Sequence, residues 1–247
     1  MNFVKKGLFI SIEGPDGSGK TTQINLLRDF LIDNNVYDFE VIFTREPGGT
    51  TIGEKIRDII LDNSHTEMDD LTEAMLYAAA RAQHVEEVIK PALKEGKLVI
   101  CDRFVDSSIA YQEYGRNLGE KVSIINKIAV NQTMPYRTIF IDIDPELARN
   151  RIAESVSQNS VLCSNDNMEN SDISSGQFDN DSGRTHLDRL ELEKLSFHQK
   201  VYDGYKEIIR TNEERFVVID GKGSIDDIQL RIRNTLVQIC KEFLGKV

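Results

Sequence analysis

The segment Gly14-Pro15-Asp16-Gly17-Ser18-Gly19-Lys20-Thr21 has the residue types and spacing to grip phosphate. It follows the apolar run Leu8–Glu13 directly and opens a helical pattern, the context that a phosphate-binding glycine loop requires. The glycines let the backbone curl so that successive N–H groups point inward, and the helix start adds partial positive charge at the same place. Lys20 is then placed to reach the β- and γ-phosphates of ATP, with the Thr21 hydroxyl on Mg²⁺.

Further pairs lie downstream. Leu98-Val99-Ile100-Cys101-Asp102-Arg103 reads as a buried strand ending in a carboxylate and a guanidinium. At the carboxyl edge of a parallel sheet Asp102 can join a Mg²⁺ shell through water, and Arg103 can hold a phosphate bidentately. A strand-end salt bridge is the plainer reading of the pair taken alone. Thr44-Arg45-Glu46-Pro47-Gly48-Gly49 places a second guanidinium and a Pro47-centred turn on the same edge. Tyr77 and Arg81, four apart on one helix face, suit a planar nucleobase, although a core tyrosine and a solvated arginine fit that spacing too. Ser107/Tyr111 and Ser108/Gln112 repeat the spacing and give a polar helix face.

These residues need a scaffold. Apolar runs at Leu8–Glu13, Glu40–Thr44, Lys97–Asp102, Thr138–Ile143 and Phe216–Asp220 lack strict alternation, as strands covered on both faces do. Helical patterns separate them: Thr21–Asn34, Ile52–Leu61, Asp69–Lys94, two helices within Val105–Val130, Pro145–Glu154, a long stretch from Leu187 to Thr211, and Ile225–Phe243. The alternation predicts an α/β fold with a five-stranded parallel, doubly wound sheet and right-handed crossovers. Residues 155–183 break the pattern. They hold eight Ser, five Asn and five acidic residues with no Lys or Arg, and read as a mobile polar insertion.

The net charge of −11 argues against a nucleic-acid binder, and no uncharged apolar run is long enough to span a bilayer. Three cysteines without metal-type spacing read as reduced, which predicts a cytoplasmic location. His65, His84, His186 and His198 form no recognisable catalytic pattern.

Taken together, Gly-Pro-Asp-Gly-Ser-Gly-Lys-Thr-Thr, Thr-Arg-Glu-Pro-Gly-Gly, Tyr77-Ala-Ala-Ala-Arg81 and Asp102-Arg103-Phe-Val-Asp-Ser107-Ser108-Ile-Ala-Tyr111-Gln112 resemble thymidylate kinases in order and spacing. The likeness extends over almost the whole chain apart from the insertion. It implies a P-loop fold of the nucleoside-monophosphate-kinase type, one domain over residues 1–247 with a lid at about 148–190. The implied reaction moves the γ-phosphoryl of ATP to dTMP, giving dTDP and ADP, in a homodimer.

The resemblance also implies residue roles. ATP is held by Gly14 through Thr21, with Thr22, and Arg151 packs on the adenine. Asp16 helps arrange the acceptor phosphate and metal, while Arg45, Pro47 and Arg103 line the dTMP phosphate site. Tyr77 stacks on thymine, Arg81 bonds a base carbonyl, and Ser107, Ser108 and Gln112 surround the base. Tyr111 crowds the sugar 2′ position. Because Gly17, not Arg, follows Asp16, the chain resembles the bacterial-type subclass whose catalytic arginine comes from the lid. Arg184 and Arg189 are the lid cations beyond Arg151.

Two rivals stand beside this reading. One is a P-loop kinase for a different nucleotide. The other is a nucleotide-dependent switch, against which the nearest guanine-reading string, Asn126-Lys127-Ile128-Ala129, lacks the needed Asp.

Overall fold

The strands Leu8–Glu13 (β1), Val41–Arg45 (β2), Leu98–Asp102 (β3), Arg137–Asp142 (β4) and Phe216–Asp220 (β5) form one parallel sheet in the order β2-β3-β1-β4-β5 in the computed structural model. The structure describes residues 6–33, 39–163 and 187–245. β1 lies at the centre, and all six of its residues are buried. Their alternation still decides the site. Leu8, Ile10 and Ile12 face the core shared with the helices Lys20–Asp33 (α1) and Ile225–Leu244 (α9), whereas Phe9 faces Val85, Ile89 and Phe104. Each fully buried Leu, Ile or Phe here contributes roughly 1.5–3 kcal/mol to folding. Period-2 alternation then sends Glu13 to the face of Phe9, and Asp102 to the opposite face with Leu98 and Ile100.

The remaining helices are Thr51–Leu61 (α2), Asp70–His84 (α3), Lys90–Lys94 (α4), Val105–Ser108 (α5), Lys121–Val130 (α6), Pro145–Cys163 (α7) and Leu195–Thr211 (α8). Thr50 caps α2 by accepting from Gly53 N at 2.9 Å, and Asp69 caps α3, accepting from Leu71 N and Thr72 N. The pattern read as one helix over Asp69–Lys94 is continuous but changes pitch, passing through a π-helical turn at Val85–Ile89 between α3 and α4. α5 likewise runs on as π-helix over Ile109–Gly115. Two boundaries differ more. α7 continues to Cys163, into the segment read as insertion, and residues 164–183 lie outside the described residues. α8 starts only at Leu195, because Asp188 folds 188–191 into a turn by accepting from the backbone N–H groups of Leu190 and Glu191 at 2.9 Å.

Candidate active site

The chain turns from one half of the sheet to the other at the carboxyl end of β1, the position where open α/β folds bind ligands. The glycine loop sits there and closes on itself through Ser18 N to Pro15 O at 3.1 Å. The first amides of α1 have no helical carbonyl to meet and offer their N–H groups to an anion. Gly17 adopts φ 78°, and a Cβ there would lie 2.2 Å from the Ala148 carbonyl of α7, so a side chain at this position cannot coexist with α7 as packed.

A cavity of about 230 Å³ opens in front of the loop. Asp16, Gly17, Gly19, Lys20, Thr21 and Thr22 form one wall, and Asp102 and Arg103 form its floor. Arg45 and Pro47 come from the turn after β2, Tyr77 and Arg81 from α3, and Ser107, Ser108, Tyr111 and Gln112 from α5 and its continuation. The structure therefore gathers nearly all the residues singled out from sequence. Gly14, Pro15 and Ser18 of the loop do not line the cavity and instead accept hydrogen bonds from Lys20 Nζ.

Charge is balanced tightly. Lys20 Nζ donates to the carbonyls of Gly14 and Pro15, each at 2.9 Å. Burial and the Arg103 charge push its pKa down to about 8, against the pull of Asp16, Asp102 and Glu13. Arg103 holds φ 64°, a left-handed backbone that costs a non-glycine residue on the order of 1–2 kcal/mol. The kink is fixed by Arg103 N to Ile12 O at 3.0 Å and by Phe104 N donating to Glu13 Oε1 at 2.7 Å. It aims the guanidinium back at the loop, where Nη1 donates to Gly14 O at 3.1 Å and Nη2 pairs with Asp16. Tyr111 OH also donates to Asp16, at 2.8 Å. Burial works to raise the Asp16 pKa, but Arg103 and Lys20 outweigh it and hold the carboxyl below its usual range.

The nucleobase side is organised by buried hydrogen bonds. Arg81, 1% exposed, donates through Nε to Glu46 at 2.7 Å, through Nη1 to Ser108 at 3.0 Å and to Asn126, and through Nη2 to Phe104 O at 3.1 Å. Four of its five N–H groups thus meet described residues, and one Nη2 proton is left for the cavity that Arg81 lines. Arg45 is engaged by Glu54 in a two-bond pair at 2.7 and 3.0 Å.

Two expected residues lie elsewhere. Arg189 does not reach this cavity: its Nε donates to Ile60 O at 3.1 Å and its Nη2 to Glu73 at 2.5 Å. Arg151 donates to Gly221 O at 3.1 Å, over the loop that follows β5. Arg184 is outside the described residues.

Several site residues were missed from sequence. Glu13 accepts from Phe104 N, Ser107 and Tyr205, and burial, with Asp106 adding, pushes its pKa up to about 7 against the pull of Arg103. An acid ending a strand beside the glycine loop was a visible signal for it. His84, which fits no catalytic pattern by sequence, is fully buried and donates from Nδ1 to Glu46 at 2.9 Å while its Nε2 meets the Thr44 hydroxyl at 2.6 Å. Its place three residues past Arg81 was the available cue. Arg57 lines the cavity, and Arg149 lines a second cavity of about 400 Å³ beside Pro15 and Asp16.

The donor set suits a Mg²⁺ that arrives with a nucleotide. Among the described residues no cluster of three or more His, Cys, Asp or Glu side chains could cage a metal, while Thr21 and Asp102 flank the phosphate cradle. Mg²⁺ commonly binds through one or two carboxylates, phosphate oxygens and its own waters.

Comparison with known proteins agrees with this geometry. A family model described as thymidylate kinase matches residues 12–171. A thymidylate kinase of Bacillus licheniformis is 44% identical over 96% of this chain and 98% of its own length. One from Lactobacillus acidophilus is 45% identical over 94% and 95%. A solved thymidylate kinase of Ehrlichia chaffeensis superposes with a TM-score of 0.65 at 29% identity, over 94% of this chain and 98% of that one. The family model takes in the glycine loop, the relatives and the solved structure cover nearly the whole chain, and the chain belongs to the thymidylate kinase family.

Proposed function

We propose that this chain transfers the γ-phosphoryl group of ATP to the phosphate of dTMP, giving dTDP and ADP. The observation that carries the reading is one cavity in which the phosphate-gripping loop, Arg103 and a base-sized slot of Tyr77, Arg81 and Gln112 meet. The acceptor phosphate is already a nucleophile near neutral pH, so the protein's part is positioning and neutralising charge. Gly14 through Thr22 hold the triphosphate, with Lys20 on its outer phosphates and Arg151 toward the adenine. Arg103 and Arg45 hold the dTMP phosphate beside Pro47, and Asp16 occupies Arg103 until that phosphate displaces it. Tyr77 stacks on the base, Ser107 and Ser108 flank it, and Tyr111 borders the sugar. Thr21 and Asp102 would hold Mg²⁺, which supplies further charge neutralisation on the transferring group.

The lid on the single domain would lie at about 148–190, of which residues 164–186 are outside the described residues. Arg149 lines a cavity together with Pro15 and Asp16; Arg189 can join only by leaving Glu73, and Arg184 is a further lid cation. A homodimer is supported by Met75, Ile124 and Ile128, large apolar side chains exposed on α3 and α6. The buried thiol of Cys101 supports a cytoplasmic location, and no described helix is long and apolar enough to cross a membrane.

The deciding measurement is coupled ADP release with dTMP, dUMP, dGMP and AMP as acceptors. Preference for dTMP is expected; faster turnover of AMP or dGMP would overturn the assignment.

A further inference from the structure

Behind the base slot lies a carboxylate that the proposed reaction does not use. Glu73, on the first turn of α3, is fully buried and lies outside the cavity lining. Its Oε1 accepts from Gln112 Nε2 at 2.9 Å and from Arg116 Nε at 3.3 Å. Its Oε2 accepts from Arg116 Nη2 at 3.1 Å and Arg189 Nη2 at 2.5 Å. Burial alone would keep such a carboxyl protonated, but the bonds and charges from Arg116, Gln112 and Arg189 outweigh it and hold its pKa below the usual range.

An ionised carboxylate has no proton to give and can only accept. A side-chain amide beside it must therefore turn its nitrogen toward Glu73. The opposite end of the planar amide is the carbonyl oxygen. Gln112 itself is 1% exposed and lines the base slot, whereas Glu73 does not. The surface Gln112 offers to a ligand is then an acceptor. Arg81, with one Nη2 proton remaining, offers a donor in the same slot.

We propose that Glu73 is a positioning residue that locks the Gln112 amide with its carbonyl toward the nucleobase, so that the slot selects a 4-keto pyrimidine bearing hydrogen at N3. A 4-amino pyrimidine presents an acceptor at N3, which would face the Gln112 oxygen and leave both without a proton. The inference rests on the reading of this cavity as the dTMP site.

Glu73→Gln tests it, because a glutamine offers both a donor and an acceptor and no longer dictates which end of Gln112 faces the slot. We expect kcat/KM for dTMP to fall about tenfold or more, chiefly through KM, and that for dCMP to fall far less, with the KM for ATP unchanged. A merely structural Glu73 would lower dTMP and dCMP turnover by one common factor, and that result overturns the proposal. Should Glu73→Gln fail to fold, Gln112→Leu decides: an unchanged dTMP-to-dCMP ratio overturns it, and a collapsed ratio supports it. Failure of the underlying reading looks different, since the unaltered enzyme would then not turn over dTMP at all.

Discussion

Lys20 lies folded back on the carbonyls of Gly14 and Pro15, with its pKa pushed down to about 8 chiefly by burial. Incoming phosphates restore the charged form and raise that pKa in the complex. Between about pH 8 and 9, ATP binding should therefore take up a proton, and affinity should fall up to about tenfold per pH unit. Calorimetry in buffers of differing ionisation enthalpy measures the uptake; pH-independent affinity across this range would rule the shift out. Arg103 stands in a different relation to ATP. Its guanidinium is committed to Asp16, Gly14 O and the hydroxyl groups of Ser107, Tyr111 and Tyr205, at the acceptor side of the loop. Arg103→Ala is expected to lower turnover on the order of 10²–10³-fold while ATP affinity shifts only a few-fold. Steady-state kinetics beside direct ATP titration separates the two, and an equal loss in both would make Arg103 a structural residue of the loop.

At the scale of elements, the contact between the glycine loop and α7 carries the most consequence. Gly17 is both left-handed and pressed on the Ala148 carbonyl, whereas Gly19 is left-handed at φ 86° with nothing within 4 Å of a would-be Cβ. Gly19→Ala should cost about 1–2 kcal/mol from backbone conformation alone. Gly17→Ala should cost more, with α7 displaced, and thermal unfolding of the pair reads the difference. Equal losses would mean that α7 yields freely. The far end of α7 bears on the insertion. Because the helix runs to Cys163, excision of residues 164–183 spares it, and most of the activity should survive in the coupled assay. Loss of turnover with an unchanged unfolding temperature would place the excised segment in the catalytic lid.

For the molecule as a whole, the exposed apolar residues of α3 and α6 need an explanation. Ile124 is 60% and Ile128 75% exposed, one helical turn apart on α6, which packs against α3, where Met75 is 51% exposed. Pairing of two copies through this face would bury all three. Replacing Ile124 and Ile128 with Asp is expected to turn a dimer into a monomer in sedimentation velocity at unchanged helix content. An unaltered chain that already sediments as a monomer would remove the dimer.

The five strands, their parallel order of succession with helices, and the glycine loop were legible from local pattern, because runs of apolar residues and turn-forming glycines act through neighbours in the chain. The family followed from short motifs such as Thr44–Gly49 and Asp102–Gln112, whose residues stand at fixed spacing along short contiguous stretches of the chain. What only the tertiary structure decided is which groups meet across elements. By sequence Arg189 falls among the lid cations, yet in the fold it binds Glu73 of α3; His84 fits no catalytic pattern, yet it joins Thr44 to Glu46 behind Arg81. Glu73, Tyr77 and Arg81 recur every four residues on α3, but nothing in that spacing says that a carboxylate lies behind Gln112. Periodicity fixes the face of a helix or strand that a side chain occupies. Its partner is fixed by the register and packing of elements distant in sequence, where burial makes every unpaired polar group costly and so selects one pairing.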